Sequence, residues 1–582
     1  MAVLPLLEIL WRAVFKTGIP GSGPFVQHLT LWVGFLGAGI AAREGRLLAL
    51  ATGTFIPEGR WRDTAAVVAA AIASAVAALL CRASIGMVVV EREGGAIIAA
   101  GVPVWVAQLV LPIAFALIGV RIAWRAAPRW PGRLVAFAGL AAGLWLSMHT
   151  ELLAARNPWP GVALVLLGTV LGGPVFALLG GIAVLLFMKD AVPIAAMPVE
   201  AYRLAVSPYL AAIPLFTLTG FLLSESHASQ RLLRVFRALF GWMPGGTAIV
   251  VAVVCAFFTA FTGGSGVTIL ALGALLYQAL RHEGYRESFS LGLITACGSL
   301  GLLFPPSLPL ILYFVVSQQV GIEDLFIGGL LPGLLLLGLT AVWGVREGMR
   351  SKAPRQPFVW REVAGAVWEG KWELLLPAIV LIAIFGGFAT IIEAAALTVF
   401  YSFGVQCLVL GDLSVRRDLP RVLAETVVLV GGVLVILGAA MGFSSYVVDA
   451  QVPAQLVAWT RAYIHSPWAF LLVLNVFLLV VGCLMDIFSA TVVVVPLIIP
   501  IAAAFGIHPV HLGIIFVANL ELGYLTPPVG LNLFLSSYRF KRPVLEVTRA
   551  SFPMLVILTF GVLVITYVPW LTAGLLALLG RH

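Results

Sequence analysis

The chain has 582 residues, 61% of them hydrophobic and only 10% charged, with a mean hydropathy of +1.07. Soluble domains are nearer half apolar and a quarter charged, so a water-soluble globule is excluded and lipid must be the solvent. The net charge of +9 comes from basic residues scattered between apolar stretches, which fits cytoplasmic loops and argues against a nucleic-acid partner.

Residues 1–19 read as an amphipathic helix lying in the membrane interface. Leu6, Leu7, Leu10 and Trp11 fall on one side, and Glu8, Arg12 and Lys16 on the other. Those charges, and the lack of a small-residue cleavage site, argue against a cleavable leader. Four spans follow at about 25–42, 64–82, 102–124 and 134–152, each near the ~20 residues a bilayer needs. Charged connections separate them, and the block closes at the helix-breaking joint Asn157-Pro158-Trp159-Pro160. Residues 1–157 are therefore expected to be a four-helix scaffold. The five cysteines (Cys81, Cys255, Cys297, Cys407 and Cys483) form no CxxC pair or zinc spacing and read as packing residues.

A second block, 158–582, opens with a predicted span at 161–187 and a loop punctuated by Pro193, Pro198 and Pro208. A span at 208–224 leads to two short apolar arms, 246–261 and 267–280, joined by Thr262-Gly263-Gly264-Ser265-Gly266. Arginines flank both arms, so the pair is expected to be a re-entrant hairpin entering from the cytoplasm. A span at 288–316 is broken at Gly301–Pro306. It ends at Glu323-Asp324, an acidic loop assigned to the outside. A span at 325–343 returns to a basic linker, 346–371, containing Arg346, Arg350, Lys352, Arg355, Arg361 and Lys371.

The pattern then repeats. Spans are expected at 374–391, 393–410 and 422–441. A second arm pair, 467–484 and 487–504, surrounds Asp486, and its scarcity of basic flanks places its entry outside. A broken span at 510–538 and a last span at 551–572 complete the chain. The two halves, about 205–345 and 372–582, share an order of elements with opposite charge bias. That is an inverted-topology repeat. The expected fold is an all-α polytopic membrane protein with two re-entrant hairpins and two broken helices beside the N-terminal scaffold.

The breaks carry the chemistry. Gly298-Ser299-Leu300-Gly301-Leu302-Leu303-Phe304-Pro305-Pro306-Ser307 and Asn519 through Gly530 each place a Pro-Pro pair four or five residues after a glycine. Such a pair frees backbone carbonyls, which suit a hard cation such as sodium, while half-helix N-termini suit a carboxylate. One break alone would only kink a membrane helix; two matched breaks, each with a polar-tipped hairpin, point to a paired site. Candidates for the first cation position are Thr262 and Ser265 with the carbonyls of Gly301, Phe304 and Pro305. Those for the second are Gly482, Gly523, Thr526 and Val529. Gly264, Ser265, Ser299, Asp486, Ser489, Thr526 and Pro527 are the candidate substrate contacts. Asp486 is a carboxylate in a long apolar stretch, which defaults to function; the plainer reading is a helix cap. Glu393 and Glu521 are further acids in apolar surroundings, with no role assigned.

At these residues the chain resembles a tripartite ATP-independent periplasmic (TRAP) transporter. The second block is similar to the large membrane subunit at Ile213–Phe216, Ser224-Glu225-Ser226, Thr262–Gly266, Leu303–Pro309, the Asp486 hairpin, and Gly513–Leu533 with its TPPVGLN. The first block is similar to the small subunit, best over Trp32–Gly45, so the whole resembles the fused form. The family pattern TPTEAA stands here as Thr390-Ile391-Ile392-Glu393-Ala394-Ala395, without its proline, and Gly264 replaces a frequent serine. The resemblance implies sodium-coupled uptake of a small organic anion, usually a carboxylate, across the bacterial inner membrane. A periplasmic solute-binding protein would deliver the substrate, and the hairpins and broken helices would move as an elevator. Competing readings are a binding-protein-independent sodium/anion symporter, a channel and an intramembrane enzyme. No HExxH, GxSxG or P-loop supports enzymatic or pump chemistry.

Overall fold

The computed structural model describes residues 1–49, 56–57, 59–154, 156–351, 355 and 357–581. Of the linker residues named above, Lys352 lies outside this set. Every regular element among the described residues is helical, and ten helices are long and apolar enough to cross a bilayer.

The first third of the chain holds α1 (Val3–Phe15), α2 (Ser22–Glu44), α3 (Arg60–Gly94), α4 (Val104–Gln108), α5 (Val110–Arg125), α6 (Trp130–Met148), α7 (Trp159–Val170), α8 (Val175–Lys189) and α9 (Ala196–Ala205). The middle holds α10 (Ala212–Glu225), α11 (Ala228–Phe240), α12 (Gly246–Thr262), α13 (Ser265–His282), α14 (Glu287–Cys297), α15 (Leu308–Ser317), α16 (Ile322–Arg350), α17 (Trp360–Phe385) and α18 (Ile391–Phe403). The last third holds α19 (Asp418–Asp449), α20 (Val452–Tyr463), α21 (Pro467–Leu484), α22 (Ile487–Ala504), α23 (Pro509–Gly523), α24 (Leu531–Phe540), α25 (Val544–Tyr567) and α26 (Leu575–Leu578).

The chain divides into two compact units. One comprises residues 1–214 and 424–456; the other comprises 215–423 and 457–582. The first unit is held by small-residue seams. A Cβ on Gly139 or Gly143 of α6 would fall 2.4 and 2.2 Å from the Ala71 and Ala75 carbonyl oxygens of α3. Gly37 of α2 and Gly431 of α19 meet in the same way, with a Gly37 Cβ 2.3 Å from the Val427 carbonyl oxygen. Glycine is required at such contacts because lipid supplies no hydrophobic drive, so close backbone packing must hold membrane helices together. The second unit contains both arm pairs (α12 with α13, α21 with α22) and both broken helices (α14–α15 and α23–α24).

Several sequence expectations need correction. The span drawn at 161–187 is two packed helices, α7 and α8, because Gly172-Gly173-Pro174 ends one and starts the other. The loop drawn through Pro198 contains α9; Pro198 sits in its first turn, where no backbone N–H is needed. At 35 residues and about 1.5 Å per residue, α3 is longer than a ~30 Å hydrocarbon core, and it continues beyond both ends of the span expected at 64–82. Glu323 and Asp324 form the first turn of α16 rather than a loop, and both pair with Arg581, at 2.6 and 3.0 Å. The amphipathic α11 and α20 were absent from the sequence reading.

Candidate functional site

The first break runs from Gly298 to Ser307. Here α14 ends, a 3₁₀ turn covers Leu300–Leu303, and α15 resumes after a cis Pro305-Pro306 bond, with a 45° bend overall. Gly301 lies on the backbone of α12: a Cβ there would fall 2.2 Å from the Ala256 carbonyl oxygen and 2.6 Å from Thr259 Cβ. Thr259 is the pin. Its hydroxyl pairs with that of Thr268 on α13 at 2.7 Å and donates to the Gly298 carbonyl at 2.8 Å. One side chain therefore ties both arms to the broken helix. Ser307 closes the break by donating to the Leu302 carbonyl.

The tip between α12 and α13 is built to be tight. Gly263 has φ +65°, and a Cβ there would run into Leu308. Thr262 is buried, and its hydroxyl donates weakly to the Gly264 carbonyl at 3.4 Å. Ser265, the first residue of α13, is buried with no partner for its hydroxyl. Gly264 faces open space. Phe304 and Pro305 line an apolar cavity of about 260 Å³ with Phe257, Phe261, Pro377 and Leu381, so the Phe304 ring serves packing.

The second break repeats this construction. Pro527-Pro528 is also cis, and α23 stops at Gly523 before α24 starts at Leu531. Gly523 lies on the backbone of α21: its Cβ would fall 2.6 Å from Gly482 Cα and 3.0 Å from the Cys483 amide nitrogen. The pin here is Tyr524, whose hydroxyl accepts from the Ile487 amide at 2.6 Å; the Gly530 amide donates to the Cys483 carbonyl at 3.2 Å. Asp486 is the N-cap of α22. One carboxyl oxygen accepts from the Phe488 and Ser489 amides at 3.0 Å each, and the other accepts from the Ser489 hydroxyl at 2.5 Å. The capping reading of Asp486 thus holds, and the same bonds fix Ser489. Thr526 donates to the Leu522 carbonyl at 3.1 Å. Val529 is buried.

Exposure differs between the breaks. Pro305 and Pro306 are buried, whereas Pro527 and Pro528 are exposed and Thr526 is half-buried.

The structure also joins the two breaks, through Ser299 and through Thr295, Asn532 and Ser536, which are not among the candidates above. Asn532, at the start of α24, donates to the Thr295 carbonyl at 3.1 Å and to the Ser299 hydroxyl at 3.3 Å, leaving its own carbonyl oxygen unpartnered. The Thr295 hydroxyl meets Ser536 at 2.8 Å. Ser299, Ser265 and Asn532 therefore bring free or shared polar atoms to the tip side of α14. The last letter of TPPVGLN was the available signal for Asn532. Glu393 closes a capping box with Thr390, its carboxyl accepting from the Thr390 amide at 2.8 Å, so the altered TPTEAA stretch is a helix start.

Chemically, the site offers two glycine-packed helix breaks, in which the Gly301 and Gly523 carbonyls accept short turn bonds from the Phe304 and Thr526 amides, and hydroxyls at both tips. Residues 161–571 match the model of the tripartite ATP-independent periplasmic transporter DctM component, and residues 1–132 match that of the DctQ component. The C4-dicarboxylate TRAP transporter large permease protein DctM of Vibrio cholerae is 34% identical over 434 residues, covering 70% of this chain and 95% of that protein. The isethionate TRAP transporter permease protein DctMQ of Oleidesulfovibrio alaskensis is 32% identical over 480 residues, covering 80% of this chain and 74% of that protein. The ectoine/5-hydroxyectoine TRAP transporter large permease protein UehC of Ruegeria pomeroyi is 32% identical over 351 residues, covering 60% and 81%. The chain is a multi-pass protein of the bacterial inner membrane and belongs to the TRAP transporter family, in the form that fuses DctQ-like and DctM-like components in one polypeptide.

Proposed function

We propose that this permease takes up a small organic anion, a carboxylate such as a dicarboxylate or a sugar acid, in symport with sodium, and that a periplasmic solute-binding protein delivers the anion. The hairpins and broken helices are the part that moves. The observation that carries this reading is the matched construction of the two breaks: in each, a glycine pressed onto an arm of its hairpin precedes a Pro-Pro interruption. Paired interruptions at corresponding positions of two halves mark the binding region of secondary transporters. Carbonyls and hydroxyls at Thr262, Ser265, Gly301, Phe304 and Pro305, and at Gly482, Gly523, Thr526 and Val529, are the donor set a sodium ion prefers. Gly264, Ser265, Ser299, Asp486, Ser489, Thr526 and Pro527 would face the anion. Both breaks and both hairpins lie in one compact unit, which supports movement as a body. Two of the named relatives carry anions in their names, C4-dicarboxylate and isethionate.

The test is uptake into proteoliposomes containing the full chain, with radiolabelled succinate, malate and isethionate as probes. An inward sodium gradient together with a periplasmic solute-binding protein that binds the probe should drive accumulation, and a potassium gradient should not. Equal uptake without sodium would sink the coupling ion. Full-rate uptake without the binding protein would favour the binding-protein-independent symporter. In the same assay Asp486→Ala and Thr526→Ala should abolish sodium-driven uptake while the protein still inserts. The cap lost in Asp486→Ala is worth only about 1 kcal/mol, too little to unfold the chain. Retained uptake in both variants would remove these residues from the site.

A further inference from the structure

A cavity of about 440 Å³ in the N-terminal unit takes no part in the breaks. It lies between α3, the end of α6 with the turn after it, and the connection from α8 to α9. Most of its wall is apolar, including Ala83, Met188, Val192, Pro193 and Ile194. The polar wall is Arg82 of α3 with Ser147, Thr150 and Glu151. Arg82 and Glu151 are exposed, and among the described residues neither side chain makes a hydrogen bond or an ion pair. A cation and an anion thus line one cavity without meeting each other. Gly86 leaves the room: a Cβ there would fall 3.6 Å from the Ala195 Cβ and 3.9 Å from Arg82 Nη1.

The depth of this cavity follows from the helices around it. α3 and α6 run parallel, since Gly139 and Gly143 face Ala71 and Ala75. Arg60 and Arg62 begin α3, and Arg129 and Arg133 flank the start of α6. A short turn joins α6 to the end of α5, where Arg125 donates to the Arg43 carbonyl of α2. This arginine-rich end faces the cytoplasm. Ser147 and Thr150 stand at the opposite end of α6, so the cavity is periplasmic. Lipid reaches its rim: α6 exposes Leu144, Trp145 and Met148 just before it, and Trp159 is exposed just after. Tryptophan gathers at the headgroup level of a bilayer. Arg82 does not trail from a helix end, because α3 continues to Gly94.

We propose that this cavity binds the headgroup of a phosphatidylethanolamine from the outer leaflet of the inner membrane. The planar guanidinium of Arg82 takes the phosphate, with the Thr150 hydroxyl beside it. The Glu151 carboxylate accepts hydrogen bonds from the primary ammonium. The apolar wall covers the glycerol and the first methylenes of the chains. Phosphatidylglycerol brings no cation to Glu151, and a choline headgroup brings one that cannot donate a hydrogen bond. A soluble zwitterion would match both charges but leave the apolar wall and the tryptophan rim unused. The bound lipid joins α3, α6 and the α8–α9 connection at one level, which fixes the depth of this unit in the bilayer. None of this depends on the transported anion or on sodium.

Native mass spectrometry of the purified full chain tests the match, with phosphatidylethanolamine, phosphatidylglycerol and phosphatidylcholine of identical chains. One phosphatidylethanolamine should bind about tenfold more tightly than either other lipid, the gain expected of a charge-assisted hydrogen bond. Equal occupancy by all three overturns the proposal, since a general lipid belt has no such preference. Arg82→Gln should abolish the tight site. Glu151→Gln should reduce phosphatidylethanolamine to the level of phosphatidylglycerol. Gly86→Leu, which keeps both charges and fills the cavity, should also lose it. An unchanged preference in Arg82→Gln or Glu151→Gln overturns the assignment. Photolabelling needs no variant: phosphatidylethanolamine with a diazirine near its glycerol should mark residues 147–154 or 188–195 of the wild type. Labelling confined to other segments overturns the location. Free phosphoethanolamine at the same concentration should leave the lipid bound; displacement would make the ligand a soluble zwitterion and overturn the lipid.

Discussion

Replacing Gly523 with alanine should cut sodium-driven uptake by ~10-fold or more, since overpacking costs about 1–3 kcal/mol and each ~1.4 kcal/mol is tenfold. The new methyl would fall 2.6 Å from both Cα and the carbonyl carbon of Gly482, and neither can rotate away as a side-chain end could. The arm α21 must back off α23. The Gly530–Cys483 and Ile487–Tyr524 hydrogen bonds, which fix the second tip, must lengthen with it. Gly301→Ala should do the same to the first break, because its methyl would meet the Ala256 carbonyl oxygen at 2.2 Å. Gly338→Ala is the control; nothing lies within 4 Å of its added carbon, so uptake should be unchanged. Normal insertion with lost uptake in the first two variants supports a packed break as the working part. Normal uptake in both would show that the breaks tolerate displacement and are not the coupling element.

The second large effect lies away from the breaks, in a buried ion-pair cluster of the same unit. Arg231 on α11 donates to Glu373 of α17 at 2.6 and 2.9 Å, to Asp412 at 2.8 Å and to Gln406 at 3.0 Å. Glu373 is wholly buried and also accepts from Gln406 at 3.1 Å. Arg231→Ala would strand Glu373, and breaking a buried pair from one side costs about 3–5 kcal/mol. The thermal midpoint in detergent, followed by fluorescence-detected size exclusion, should fall by several degrees. Restoring an apolar pair in Arg231→Met/Glu373→Leu should recover most of it. An unchanged midpoint in Arg231→Ala would show the cluster to be slack.

The cluster also sets a pH dependence. Burial pushes the Asp412 carboxyl up, but hydrogen bonds and charge from Arg231, with help from His227, pull it below the usual carboxylate range. A depressed acid adds stability above its unfolded value and loses it as pH falls through the folded one. This contribution is therefore present at neutral pH and disappears only below the ordinary aspartate range.

How much of this was legible in the sequence follows from which signals are local. The arms 467–484 and 487–504 have the bounds the sequence suggests, because lipid demands continuous apolar runs and Asp486 is the charge that divides them. Both Pro-Pro breaks stood out for the same reason. The split at Gly172-Gly173-Pro174 was written just as plainly but was overridden by the expectation of one full-length span. The amphipathic α11 has a charged face that reads as loop when only hydropathy is followed; its Arg231 makes sense only beside Glu373 and Asp412, 142 and 181 positions on. Thr259 carries no signal of its own, because its role appears only beside Thr268 and Gly298 on other helices; Asn532 is marked by its motif, but its tie to Thr295, 237 positions away, is not. Pairing across such distances leaves no periodic trace.

The recruitment of residues 424–456 into the unit that also holds residues 1–214 bears on how the protein is made. A ribosome delivers the N-terminal block first, yet the glycine seam between α2 and α19 cannot form until Gly431 has entered the membrane. During most of synthesis the exposed groove around Gly34 and Gly37 must be covered by lipid or an insertion factor. Closure of the N-terminal unit is thus a late event, timed by the emergence of a helix from the second half.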